Sequence, residues 1–168
     1  MASFVEVLPE SLQDNPFRLI GKEWALITAE RDGAPNTMTA SWGGLGVLWG
    51  KNVAFIFIRP QRYTKEFVDG SDGFSLTFFP EEYRKKLSYL GTVSGRDEDK
   101  IKTAGLTVLH RDGIPYFEES RLAVFCKKLY AQPMRPDCFT APEQDAQWYP
   151  EKDYHTLYVG EITAVLQR

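Results

Sequence analysis

Hydroxyls, guanidinium groups and one lysine gather in three short segments whose composition suits a phosphorylated ligand. The first is Asn36-Thr37-Met38-Thr39-Ala40-Ser41-Trp42-Gly43-Gly44. In a strand, side chains alternate between faces, so Thr37, Thr39 and Ser41 share one face and Asn36, Met38, Ala40 and Trp42 the other. A row of hydroxyls leading into glycines offers side-chain and backbone donors to a hydroxyl-rich, phosphorylated molecule. The wet face of a half-exposed strand carries the same pattern. The second segment is Arg59-Pro60-Gln61-Arg62-Tyr63-Thr64-Lys65, at the end of an apolar run. A phosphate dianion needs fixed positive charge, hydroxyl donors and preferably a helix start, and Arg59, Arg62, Thr64 and Lys65 supply these types. An N-capping threonine among solvated arginines reads identically. In the third, Ser94-Gly95-Arg96-Asp97-Glu98-Asp99-Lys100, Asp97 suits a helix cap or first turn. Lys100 then falls early in that helix, against the dipole, which a lysine serving an anion would explain. A surface lysine paired with a neighbouring acid is the simpler account.

Other chemistries find little support. No glycine pattern matches GxGxxG or a P-loop, and no GxSxG elbow or Ser/His/Asp order is present. The sequence therefore predicts no catalytic side chain of its own. His110 and His155 are scattered, Cys126 lies in an apolar stretch and Cys138 in a polar one, so no metal site is expected. With two cysteines and no CxxC, the reading is a reduced, cytoplasmic protein. Net charge of −3 without a basic stripe gives nucleic acid nothing to bind. The longest apolar run, Val53 to Ile58, is too short for a membrane span. The opening Met1-Ala2-Ser3-Phe4-Val5-Glu6 lacks the basic-then-apolar order of a secretory signal.

The elements that must position these segments read as mostly β. Strands are expected over 24–29, 36–42, 53–59, 74–79, 106–110, 116–118, 122–131 and 154–166, with turns at 31–35 and 111–113. Gly43, Gly44, Gly46 and Gly50 read as a loop. Short helices are expected over 64–68, from Pro80 to about Leu90, and over 97–104. A Pro-rich, polar excursion covers 133–150. At 168 residues, 43% apolar and 26% charged, this is one globular domain, 1–168. Many strands without βαβ alternation predict a mainly β, Greek-key type split β-barrel with short inserted helices.

Taken in order, the three segments resemble the flavin reductase-like family, in its flavoredoxin-like branch, whose fold is the FMN-binding split barrel. The resemblance rests on Asn36-x-Met38-Thr39-x-Ser41-Trp42, Arg59-Pro60-x-Arg62-x-Thr64 and Ser94-Gly95-Arg96-Asp97-x-Asp99-Lys100, with Tyr158-Val159-Gly160-Glu161-Ile162 as closing strand. It implies FMN as cofactor, lined by Asn36, Met38, Thr39, Ala40, Ser41 and Trp42. Arg59, Thr64 and Lys100 would hold the ribityl and phosphate groups, Arg62 would be a further cofactor-binding residue, and His155 would lie near the flavin. It also implies a homodimer, with NADH or NADPH as electron donor and hydride transfer carried by the flavin. A flavoredoxin-like electron carrier, exchanging electrons with a redox protein partner, is the alternative. A flavin-free interaction module is another. The run after Trp42 lacks the serine and paired prolines common in monooxygenase reductases, so the resemblance leaves the acceptor open.

Overall fold

Three hairpins turn on the same device, a residue followed by glycine with both backbones left-handed. Asp32-Gly33 joins β2 (Ala25–Arg31) to β3 (Ala34–Ala40), Trp49-Gly50 joins β4 (Gly43–Leu48) to β5 (Lys51–Ile58), and Asp112-Gly113 joins β7 (Val108–Arg111) to β8 (Ile114–Phe117). Their φ values are 54° and 76°, 55° and 69°, and 50° and 77°. Such two-residue turns carry the twist of the strands they connect. The computed structural model describes residues 3–168; Met1 and Ala2, at the start of the expected 1–168 domain, lie outside the described residues.

One strand corrects the sequence reading. The glycines at 43, 44 and 46 form β4, not a loop, paired antiparallel to β5 along its length. Glycine has little strand propensity of its own, but here the ring of Phe55 covers it. A Cβ on Gly44 or Gly46 would sit 3.6 Å from that ring, and one on Gly43 only 2.7 Å from the Phe55 carbonyl oxygen. A short strand β1 (Val5–Val7), paired with the end of the chain, was also not expected.

The remaining strands are β6 (Gly73–Phe78), β9 (Leu122–Pro133) and β10 (Thr156–Gln167). The main sheet runs β3-β2-β6-β9-β10-β5-β4, all antiparallel, with β1 beside the last residues of β10. Its two edge strands are consecutive in sequence, joined only by Ser41 and Trp42. That link spans at most about 11 Å, whereas the edges of a flat seven-stranded sheet lie about 29 Å apart. The sheet must therefore curl until β3 and β4 meet at this corner, where no ladder joins them. The result is a barrel split along one seam, as the sequence reading expected.

Alternation fills the interior. Ala54, Ile56 and Ile58 of β5, Phe74, Leu76 and Phe78 of β6, and Leu122, Val124 and Cys126 of β9 point into one cluster with Ile27, Met38 and Tyr158. A second cluster packs helices on the outer face of β2, joining Leu26 to Leu87, Leu90, Ile101 and Phe117. A third seats the β7–β8 hairpin on β9 and β10. The helices depart from the expected bounds in both directions, the one expected over 64–68 running on to Gly70 and the 97–104 helix contracting. The stretch after Pro80 is a 3-10 turn (Glu81–Tyr83) leading into α3 (Arg84–Thr92), following α1 (Pro16–Arg18) and α2 (Thr64–Gly70). The helix expected over 97–104 contracts to α4 (Lys100–Thr103), because Asp99 rather than Asp97 caps it, accepting from Lys102 N at 3.2 Å. The 133–150 excursion contains α5 (Pro142–Trp148). No helix among the described residues is long and apolar enough to cross a membrane.

A candidate ligand cleft at the barrel split

The seam opens into a cleft of about 330 Å³ at the Ser41–Trp42 corner. Met38, Thr39 and Ala40 reach it from the end of β3, Phe57 and Arg59 from the end of β5, and Arg62 from the turn before α2. Trp148 enters from α5, and His155 from the residue before β10. Met38, Thr39, Ala40, Ser41, Trp42, Arg59, Arg62 and His155 of the expected set thus converge on one place. Two guanidinium groups and no carboxylate line it, so its charge favours an anion. Its size falls in the small-molecule range of about 300–1,000 Å³.

Aromatic rings form the walls. The Trp42 indole, 42% exposed, meets Trp148 edge-on at a centroid distance of 5.0 Å. It lies tilted against the His155 imidazole at 5.3 Å. His155 is itself buried, and its Nδ1 shares a 2.7 Å hydrogen bond with the Tyr149 hydroxyl. Burial first, and the positive charge of Arg59 second, pull its pKa down to about 4. The imidazole is therefore neutral at pH 7.

The two arginines differ in what they have left to offer. Arg59 donates through Nη1 to Asp153 Oδ2 at 2.5 Å and through Nη2 to the Trp148 carbonyl at 2.8 Å, with its guanidinium 5.0 Å from the Tyr149 ring. Gln61 donates to the same Asp153 oxygen at 2.7 Å. The hydrogen bonds from Gln61 and Arg59 hold the Asp153 carboxyl below its usual range. Arg59 is thus a clasp that holds the 133–155 excursion, and with it Trp148, against the barrel. Arg62 gives Nη1 to the Gly91 carbonyl at 2.8 Å and has no other protein acceptor among the described residues. Ser41, exposed beyond the end of β3, likewise keeps its hydroxyl free among them.

The remaining members of the expected set, Asn36, Thr64 and Lys100, turn inward, as do the hydroxyls of Thr37 and Thr39. Thr37 is buried, 2.8 Å from the Thr28 hydroxyl and donating to the Ile27 carbonyl, and Thr39 donates to the Leu87 carbonyl of α3. Of the predicted hydroxyl row, only Ser41 faces solvent unspent. Asn36 donates to Thr64 Oγ1 at 3.0 Å, and both are buried. Thr64 is the first residue of α2 and does not cap it. Lys100, 3% exposed, donates to the carbonyls of Leu90 at 2.9 Å and Val93 at 2.8 Å. These carbonyls end α3, where an ammonium group is favoured by the dipole. The lysine that looks misplaced at the start of α4 therefore serves the end of another helix. Burial, then the charge of Arg62, lowers its pKa to about 8. Asn36 and Lys100 border a larger cavity of about 750 Å³, whose lining sets Glu98 and Asp99 against Lys100 and Lys102 and so carries no net charge to favour an anion.

Sequence reasoning missed Trp148, Phe57 and Asp153. Trp148 sits in a polar excursion, and its adjacency to Tyr149 was the signal available; for Asp153 the string holds none.

The family model for the flavin reductase like domain matches residues 17–168. The chain belongs to the flavin reductase-like family. Among solved structures, an FMN-binding domain of a flavin reductase-like enzyme from Shewanella baltica superposes with a TM-score of 0.72 at 17% identity, covering 98% of this chain and 77% of that one. Flavoredoxin from Methanosarcina acetivorans gives 0.68 at 22% identity, covering 87% and 68%. The NADH:FAD oxidoreductase SgcE6 from Streptomyces globisporus gives 0.65 at 13% identity, covering 87% and 75%. At these identities the likeness establishes the split-barrel fold. No curated protein matches the chain by sequence.

Proposed function

We propose that the cleft binds FMN and that this flavin reductase-like protein is an NAD(P)H-dependent flavin reductase. The observation that carries the reading is the pairing, at the barrel split, of an aromatic wall with guanidinium charge and no carboxylate. The donor set fits the cofactor: Trp42, Trp148 and Met38 suit a planar ring, while the unspent donors of Arg62 and the Ser41 hydroxyl suit its anionic tail. As an edge strand, β3 also has backbone groups along its outer side that no strand pairs. Bound FMN would supply the hydride and electron chemistry, so no protein acid or base is required. The chain's own part is to bind and orient. Arg59 and Asp153 fix Trp148 as a wall, and neutral His155 keeps a third positive charge away from the ring site. Asn36, Thr64 and Lys100, whose polar atoms bond to the protein itself, act as supports that hold β3, α2 and α3 behind the cleft. The same reading takes the protein as a homodimer.

The edge-on contact of Trp148 with Trp42 narrows the cleft, which favours a second reading: an electron carrier with bound FMN and a redox protein partner. The test is the visible spectrum of the protein after FMN addition and gel filtration. The proposal expects retained flavin absorption in a dimer-sized peak. A colourless protein that also fails to oxidise NADH or NADPH with excess FMN would overturn it. Steady nicotinamide oxidation supports the reductase; slow oxidation with rapid reduction by a redox protein supports the carrier.

A further inference from the structure

The 133–155 excursion grips His155 twice, once by its backbone and once by its ring. Met134 N donates to the His155 carbonyl at 2.8 Å, and the Tyr149 hydroxyl meets the imidazole at Nδ1. Tyr149, just past the end of α5, is buried, with its ring packed against Tyr154 at 4.9 Å and Phe139 at 5.9 Å. A neutral imidazole carries one proton, and the partner of one nitrogen decides which of the two holds it. We propose that Tyr149 donates its hydroxyl proton to Nδ1 and so holds His155 in the tautomer whose Nε2–H faces the cleft, a positioning role for a residue that does not itself line the cleft.

Burial raises the Tyr149 phenol above its usual range, so it keeps its single proton at neutral pH. Two acceptors compete for that proton, His155 Nδ1 at 2.7 Å and the Met134 thioether at 3.5 Å. Sulfur accepts weakly, so the proton points to nitrogen and the imidazole's own proton is left on Nε2. The charged groups that bear on the ring are Arg59 and Asp153, which are bonded to each other. Nε2 has no hydrogen-bond partner among the described residues and is not sealed from solvent. His155 lines the cleft, and there this nitrogen reaches open space. An unprotonated Nε2 would offer its lone pair to the cleft, yet neither arginine donates to it. Arg59 is spent on Asp153 and Trp148, and Arg62 donates to Gly91. With Nε2–H in place, Arg62 and His155 both present donors, which suits a ring edge carrying carbonyl oxygens and unprotonated nitrogens. The role toward flavin rests on the reading above; the tautomer does not.

A two-bond proton–nitrogen correlation spectrum of the 15N-labelled full-length protein at pH 7 reads the tautomer directly. The chain has two histidines, and His110→Gln assigns their signals. His155 Nδ1 should resonate as an unprotonated nitrogen and Nε2 as a protonated one. In Tyr149→Phe, which removes one oxygen and keeps the ring, the two nitrogens should move towards each other as both tautomers populate. Met134→Leu removes the competing acceptor and should leave the spectrum unchanged, which keeps the test open if the phenylalanine variant fails to fold. A protonated Nδ1 in the wild type would overturn the proposal, as would an unchanged spectrum in Tyr149→Phe or a mixed one in Met134→Leu. Added FMN should shift Nε2 more than Nδ1. FMN that stays bound with both nitrogens unmoved would overturn the positioning role and leave the flavin reading standing. The expected tautomer in a protein that retains no FMN would uphold the tautomer and sink the flavin reading instead.

Discussion

The corner at Ser41–Trp42 and the polar cluster behind it are built from similar residue types, yet only one is left with something to bind. At the corner, the Arg62 guanidinium and the Ser41 hydroxyl keep unused donors facing a cleft. Behind it, Asn36 donates to the buried Thr64 hydroxyl, and Lys100 is held by two helix-terminal carbonyls. The difference is one of hydrogen-bond accounting. A buried polar group must find partners, so residues that can reach a backbone carbonyl inside the fold are consumed there. Those stranded at a seam where the sheet has no ladder remain for a ligand. Side-chain type alone does not separate the two cases.

The comparison can be broken most forcefully through pH. His155 has its pKa lowered from 6.5 to about 4 in the folded protein. Its contribution is complete above pH 6.5 and is lost as pH falls from there to about 4, because the unfolded chain takes up the proton first. The slope is about 1.4 kcal/mol per pH unit, so about 3.5 kcal/mol in all. Denaturant unfolding at pH 7, 5.5 and 4 should show this fall, and His155→Gln should flatten it. An unaltered profile in the variant would mean that the cleft wall tolerates a charged imidazole.

Next in size is the cluster. Lys100→Met leaves the Leu90 and Val93 carbonyls without their donor while relieving a buried charge, for a net loss of about 2 kcal/mol. Denaturant melts should report that loss, with FMN affinity per folded molecule unchanged. The smallest expected effect is at the wall. Trp148→Ala removes one aromatic face from the cleft and should weaken FMN binding by about 1 kcal/mol, read by flavin fluorescence titration, with little effect on stability because the side chain is 42% exposed.

Much of the fold was legible in the string, because it depends on local signals. Asp32-Gly33 and Asp112-Gly113 announce their hairpins, and the alternation in Phe74-Ser75-Leu76-Thr77-Phe78 announces a buried strand with a polar face, where Ser75 bonds the Pro115 carbonyl at 2.6 Å. Strand β4 was not legible. Its glycines lack propensity, and Phe55, the residue that covers them, belongs to the neighbouring strand. The cap at Asp99 rather than Asp97 was equally hidden, since both spacings are chemically reasonable. At the site, the segments that gather at the seam could be recognised by composition and order. Which of their groups would be spent internally could not, because the acceptors lie far off in sequence: Leu87 for Thr39, Gly91 for Arg62, Trp148 and Asp153 for Arg59.

The most direct measurement is the FMN dissociation constant of Arg62→Ala beside that of Lys100→Met, each with its melting temperature. If the seam holds the flavin, Arg62→Ala should bind FMN roughly tenfold or more weakly, a loss of about 1.5–3 kcal/mol, while Lys100→Met keeps its affinity and loses stability. The reverse pattern, with flavin binding lost in Lys100→Met at an unchanged melting temperature and retained in Arg62→Ala, would move the site to the inner cluster and contradict the account.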